Sequence, residues 1–426
     1  MIGFKKRYYT NYIIVILTLF TVSPFINTIT NKYLLLLFFI VLFIAIKRKV
    51  NLFMRENFLV IIGFYLLLFI QAFSYNGFSY AILYLPLITF YLPFLILQLI
   101  GISFFKYFVN VIYVIALYTT PLWILQSFSP FVDSFFQSAI EFILPYSWSS
   151  VPRSLLIYTA AWSDDIFNLG LGVYRNSGAF HEPGAYGVFL NLAIIFNTFF
   201  EGSMFNKKNI VFMLCILTTL STAGFITLFV ILISYLLKLN ISQGIKIVIV
   251  LGFVLSSIIV YRDQDFLQKK IGSQLEEQTY YAKNKLGKYD PHSGRFYAFY
   301  TSYELFKDHP LIGRGILYST SEKSSGEMHE GASYTYGFMG ILSNYGFFFG
   351  VFYLYNLFRG FWLLANITNQ QKIFILGCFL AINLAFLTQI FITTLSVFMI
   401  FTLGSNYRLM IKWIKLYRYE QSLKQG

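Results

Sequence analysis

Apolar segments, each close to the length of a bilayer crossing, succeed one another through most of this chain, and nothing constrains its fold more. Hydrocarbon offers no partner for backbone N–H and C=O groups, so such segments must satisfy them internally, as helices or as a closed barrel. The runs here are continuous rather than alternating, which selects helices. At about 20 residues per crossing, about twelve spans are predicted. They fall near 12–29, 33–46, 58–74, 81–101, 105–125, 185–200, 209–222, 223–238, 246–261, 337–358, 373–390 and 392–408. The expected fold is all-α: a polytopic integral membrane protein of about 12 transmembrane helices. Composition agrees, with 12% of residues charged against roughly a quarter in a soluble domain. Lys5, Lys6 and Arg7 precede the first segment, but no small-residue cleavage pattern follows it, so it reads as a retained span.

Charge sets the expected orientation. With the N-terminus inside and the spans alternating, inner segments carry 19 of the 32 Lys and Arg and only three acids, Glu56, Glu201 and Glu420. That bias follows the positive-inside rule and places both termini in the cytoplasm. The net charge of +14 is thereby a matter of topology, and no nucleic-acid partner is expected. The basic tail (Arg408, Lys412, Lys415, Arg418, Lys424) suits an anionic lipid surface. Trp123, Trp148 and Trp162 outside, with Trp362 and Trp413 inside, mark the two interfaces. Cys215 and Cys378 fall within spans and read as packing residues rather than a disulfide.

The spans make a single membrane domain, 1–426, with two large extracytoplasmic loops over 126–184 and 262–336. Long loops in a compact protein are usually functional or disordered, and the aromatic patterning of these favours order. The first contains an amphipathic stretch, Phe131 to Leu144, suited to a helix lying in the interface. It ends in Arg175-Asn-Ser-Gly-Ala-Phe-His-Glu-Pro-Gly-Ala-Tyr-Gly187, a cation, an imidazole and a carboxylate within eight residues, just before a span. The second opens with a charged stretch, Asp263 to Lys288, and continues through His292-Ser293-Gly294-Arg295. Ser293 is an N-cap candidate, Phe296, Phe299, Tyr300, Tyr303 and Phe306 follow at helical spacing, and His309-Pro310 stops the helix. Gly313-Arg314-Gly315 is a tight turn beyond it. Arg295 then sits in a first helical turn, where backbone N–H groups and the dipole already favour an anion. All four histidines (His181, His292, His309, His329) lie in these loops, and no expected span carries an Asp, Glu, Lys or Arg near its centre. Proton- and ion-coupled transporters usually have one there, so a transporter or lipid flippase is the weaker reading.

These residues resemble the bacterial O-antigen and capsular polysaccharide polymerases, within the O-antigen polymerase and ligase superfamily. Arg175, Gly178, Phe180, Glu182 and Pro183 match that family's Arg-x-x-Gly-x-Phe-x-Glu-Pro before a span. Leu220-Ser221-Thr222-Ala223-Gly224 between two spans, Ser293-Gly294-Arg295, Asp308-His309-Pro310-Leu311-Ile312-Gly313-Arg314-Gly315, and Tyr345-Gly346 with Gly350 are similar in kind and order. The resemblance implies a GT-C-like membrane glycosyltransferase at the outer face of the bacterial inner membrane. It would join oligosaccharide units carried on undecaprenyl diphosphate, with a separate chain-length regulator as a further partner. The related ligases, which move finished polymer to lipid A core, usually carry a His-Asn pair late in the second loop. Here Glu330 follows His329, which favours the polymerase.

The implied reaction needs cations for a departing diphosphate and a base for the acceptor hydroxyl. No nucleotide is needed and no phosphate-cradling Gly-x-x-x-x-Gly-Lys-Ser/Thr loop is present. Fixed guanidiniums stabilise the charge that grows on the leaving group, and the planar fork of Arg suits phosphate oxygens. Arg175, Arg295 and Arg314 are therefore candidate diphosphate or sugar ligands. The structural alternative is that they cap carbonyls or pair with loop acids. Glu182 is a candidate general base, helped by burial beside Phe180 and Pro183, or else a partner that shapes the loop with Arg175. His181 is a third candidate, although on regular structure it and Glu182 point apart; His329 is a rival base. His292 and His309 read as turn and helix-end residues. Asp164-Asp165 and Asp263-Gln264-Asp265 read as solvated loop acids, so neither metal nor other cofactor is expected. Gly184, Gly187 and Gly224 are expected to permit close helix approach.

Overall fold

A computed structural model describes residues 2–22, 30–75, 80–143, 154–155, 158–163, 173–249, 251–252, 255, 295–315, 337–387, 394–406, 411 and 413. Helices dominate. The first group comprises α1 (Ile2–Phe20), α2 (Thr30–Lys47), α3 (Arg55–Ser74), α4 (Ala81–Pro86), α5 (Leu92–Ile100) and α6 (Ser103–Phe128). A π turn over Leu87–Tyr91 joins α4 to α5 directly after Pro86. Pro93, just beyond the π turn, has no N–H to give the Thr89 carbonyl and its ring crowds that preceding turn, which accounts for the widening.

Between α6 and the second group of helices come α7 (Pro130–Ile143) and three strands, β1 (Ser154–Leu155), β2 (Tyr158–Ser163) and β3 (Val173–Gly178). The second group of helices is α8 (Pro183–Glu201), α9 (Lys207–Thr219) and α10 (Thr222–Lys238). Beyond the second loop's α11 (Arg295–Asp308) follow α12 (Gly337–Ile367), α13 (Lys372–Leu387) and α14 (Leu395–Ser405).

Five of these segments are long and apolar enough to cross a membrane: Arg55–Ser74, Ala81–Ile100, Ser103–Phe128, Pro183–Glu201 and Gly337–Ile367. Shorter apolar helices occupy Tyr8–Phe20, Thr222–Lys238, Lys372–Phe386 and Leu395–Ser405. α9 has 13 residues, about 20 Å at 1.5 Å per residue, which is short of a full crossing. The segment expected over 246–261 lies mostly outside the described residues. The helices turn large apolar side chains outward, Phe39 and Phe43 on α2 and Phe58, Leu66 and Phe73 on α3 among them. Such a surface belongs in lipid, and the chain is a helical membrane protein.

α8 lies at the centre, with 94% of its apolar window buried, packed on α6, α9, α10, α13 and β3. Small residues set the spacing, as expected for Gly187 and Gly224: a Cβ on Gly187 would lie 3.3 Å from the Gly224 Cα. Asn191, fully buried on α8, donates to the Gly187 carbonyl at 2.8 Å and across to the Gly224 carbonyl at 3.0 Å. In hydrocarbon such a bond replaces one that water cannot supply. Both cysteines are buried and unbridged, as expected.

The all-helical expectation holds for the body, but the 126–184 segment adds an antiparallel sheet in the order β1-β2-β3. Ala160 faces Asn176 and Ala161 faces Arg175, with an irregularity between Thr159 and Ala160. The sheet rests on the C-terminal end of α6. Trp123 Nε1 donates to the Tyr174 carbonyl at 2.6 Å, and the Tyr158 hydroxyl donates to Gln126 Oε1 at 2.8 Å. Burial, and then Asp133 nearby, push the Tyr158 phenol up, which keeps it a neutral donor. α7 closes this small core through Phe136, 5.5 Å from the Tyr158 ring, while Phe131 and Phe135 stay exposed.

Candidate functional site

The Arg175–Pro183 motif is the hinge between β3 and α8. Gly178 makes the turn with φ +61°, and a Cβ there would lie 2.8 Å from the Tyr186 ring. Asn176 Oδ1 accepts from the Gly178 N–H at 2.9 Å, and the Phe180 N–H reaches the Ser177 carbonyl at 3.0 Å. Phe180 stacks on Tyr186 and Phe189, one and two turns into α8. Tyr186 is held in turn by Thr119 and Cys215 at 3.1 Å each. Glu182 is extended (φ −150°, ψ 157°) at the N-cap, and Pro183 opens the helix. The hinge is therefore pinned from below, and its polar side chains ride on a buried helix.

Arg175 is half-buried, and its Nε donates to the Thr219 carbonyl at 3.2 Å, capping the C-terminus of α9. The carbonyl-capping alternative is thus realised through its Nε. The turn that Arg175 touches is the Leu220–Gly224 motif. Leu220 adopts φ 46°, and Ser221 Oγ accepts from the Gly224 N–H at 3.3 Å to start α10.

His181 and Glu182 do not point apart. His181 Nε2 lies 3.8 Å from Glu182 Oε1. Regular structure would separate neighbours, but the chain turns between Gly178 and Pro183 and so brings both to one side. His181 Nδ1 is 3.3 Å from the Val22 carbonyl oxygen, beyond the end of α1. A carbonyl only accepts, so in this contact Nδ1 is the donor, and the ring presents Nε2 to the carboxylate. The burial expected for Glu182 is not found. Its side chain is 35% exposed, because Phe180 points down into the core (1% exposed) while Glu182 faces out.

In the second loop, α11 is described from Arg295 and ends at Asp308, just before His309-Pro310, as expected. The side chain of Arg295 lies outside the described residues, as do His292, Ser293, His329 and the two Asp motifs. His309 packs edge-on to Tyr75, with centroids 4.9 Å apart. The Gly313-Arg314-Gly315 turn is confirmed, with φ +71° and +90° at its glycines. It docks on a kink in α12, where Gly346 has φ +79°. The Arg314 N–H donates to Ser343 O at 2.7 Å, Gly315 to Asn344 O at 3.1 Å, and Phe347 to Pro310 O at 2.8 Å. A Cβ on Gly313 would lie 2.5 Å from the Gly346 nitrogen.

Two residues absent from the sequence-based set tie this junction to α3. Gln71 Nε2 donates to Ile312 O at 2.6 Å and Asn344 O at 2.8 Å, and the Tyr75 hydroxyl donates to Gly313 O at 2.9 Å. A lone glutamine in an apolar span was their one visible signal. Arg314 is 5% exposed, so little of it can meet a ligand in this conformation. Arg175, His181 and Glu182 thus gather around α8 and α9, whereas Arg314 is built into the junction of α3 and α12. Among the described residues, no three His, Cys, Asp or Glu side chains come together as a metal set. No family model matches the chain, and no curated protein matches it.

Proposed function

We propose that the protein polymerises undecaprenyl-diphosphate-linked oligosaccharide repeat units into O-antigen or capsular polysaccharide, at the outer face of a bacterial inner membrane. The observation that carries this reading is the hinge over 175–183. It sets an Arg, and a His facing a Glu, at one end of the buried α8. In this reading the chain has about twelve spans, both termini cytoplasmic and two loops outside, and needs neither metal nor cofactor.

The reaction transfers a glycosyl unit. The acceptor hydroxyl attacks the anomeric carbon, the bond from that carbon to the diphosphate oxygen breaks, and the hydroxyl proton must leave. His181 Nε2 takes that proton, and the Glu182 carboxylate beside it stabilises the imidazolium. Arg175, with the first-turn amides of α8, steadies the negative charge on the departing diphosphate. Arg295, at the start of α11, is assigned to the same lipid diphosphate or its sugar. His329 remains the rival base.

The test is the lipid-linked product profile of a deletion strain. A polymerase deletion leaves single repeat units on the carrier. Long polymer stranded on its carrier would make the protein a ligase instead. Purified protein that failed to elongate a lipid-linked oligosaccharide would favour the transporter class.

A further inference from the structure

An apolar cleft of about 310 Å³ runs between α1 and α6, near the small end of the usual range for ligand sites. The two helices lie side by side in the same direction. Tyr12 meets Asn110 at one end, and Leu19 and Phe20 share the wall with Tyr118 at the other. From Tyr12 to Phe20, as from Asn110 to Tyr118, is eight residues, about 12 Å of helix. Ile16 and Val114 on its walls are exposed on the outer surface of the bundle. The end at Tyr12 is polar: Asn110 Nδ2 donates to the Tyr12 hydroxyl at 2.8 Å, and Lys208 Nζ donates to Asn110 Oδ1 at 2.8 Å. The opposite end is walled by Ala179 and Phe180, which belong to the hinge that carries Arg175 and His181–Glu182. His181 also bonds to the Val22 carbonyl, just past the end of α1. The cleft therefore leads along the apolar surface directly to the candidate site.

We infer that this cleft seats the first isoprene units of the lipid-linked donor, those next to its diphosphate. The assignment rests on the polymerase reading for the identity of the lipid. The occupant is the donor's own tail rather than bulk phospholipid, because the cleft ends within two residues of Glu182 and its inner end is sealed by polar groups. A tail lying here has its head delivered to Arg175 and His181. The cleft gains little hydrophobic free energy over surrounding lipid, which is equally apolar. What it contributes is shape and position, so that the reacting anomeric centre is held rather than left to diffuse in the leaflet.

The experiment uses the full-length protein in nanodiscs of phosphatidylethanolamine and phosphatidylglycerol, with a polyprenyl diphosphate bearing a diazirine in its second isoprene unit. Labelling is expected on the 12–20 and 111–118 segments, competed by unlabelled polyprenyl diphosphate and not by added phosphatidylglycerol. Val114→Trp, a change at an exposed wall position, should cut the competable labelling about tenfold, the scale of a modest packing loss. It should leave the elution volume and melting temperature unchanged. Labelling on other helices, or equal competition by phosphatidylglycerol, overturns the assignment. A parallel elongation assay separates the two readings. Cleft labelling without elongation keeps the tail site and sinks the polymerase, whereas elongation with labelling elsewhere does the reverse.

Discussion

At the scale of single residues, the hinge before α8 makes the sharpest predictions. If His181 Nε2 is the base and Glu182 its partner, His181→Ala should lower elongation by about 10²–10⁴-fold, with a smaller loss in Glu182→Gln. The opposite ranking in a purified assay would make the carboxylate the base. Arg175 has two duties to separate, the cap on Thr219 and the phosphate contact. Arg175→Ala should cost about 1.5–3 kcal/mol of stability if the bond to the carbonyl is its main role. Loss of about 10²–10³ in rate is expected if it also holds the leaving group. Arg175→Lys should stay poor, because an ammonium lacks the planar fork. Melting temperature and rate measured on the same preparations decide between the two roles. Gly178→Ala forces a side chain into the left-handed region and against Tyr186, at a cost of about 1–3 kcal/mol before any clash. A melting temperature equal to that of the unmodified protein would show that the turn relaxes.

Among elements, the junction of α3, the 309–315 turn and the α12 kink is the most tightly cross-linked. Gln71→Leu leaves the Ile312 carbonyl without its buried donor, while the Asn344 carbonyl keeps the Gly315 N–H. The loss at Ile312 costs about 1–3 kcal/mol. Protease cleavage within 309–315 should rise in this variant; unchanged cleavage would mean that backbone bonds alone hold the turn. Much of this element was legible beforehand. The spacing of aromatic residues marks α11, His309-Pro310 its end, and two glycines around Arg314 the turn, because each signal is local. Gln71 was not legible, since its partners lie 241 and 273 residues away and a single amide in an apolar run announces no address. The sheet was hidden for another reason. β2 and β3 have six residues each, and the stretch between them carries no two-residue hairpin signal of the Asn-Gly kind. The juxtaposition of His181 with Glu182 is not legible in the sequence, because regular geometry separates neighbours, while Gly178 and Pro183 impose a turn.

For the whole molecule, the orientation drawn from charge has a direct test. In a cysteine-free background, single cysteines at Ser134 or Ser138 on α7 should react with a membrane-impermeant maleimide added to intact spheroplasts. A cysteine at Ser203, between α8 and α9, should react only after lysis. The reverse pattern would turn the protein over and remove the hinge from the outer compartment. The segmentation into helices was legible because hydrocarbon admits few alternatives. The central place of α8 was not, since its mean hydropathy of 1.3 lies below the 1.8 of its less buried neighbour α6. That position has its own result in a substitution scan. A helix at the rim of a bundle tolerates bulk or polarity at every third or fourth site, where its side chains meet lipid. α8 is enclosed on every side by protein, so tolerance along it should show no such rhythm, and the sites where Asn191 and Asn197 sit should be as unforgiving as those of its phenylalanines.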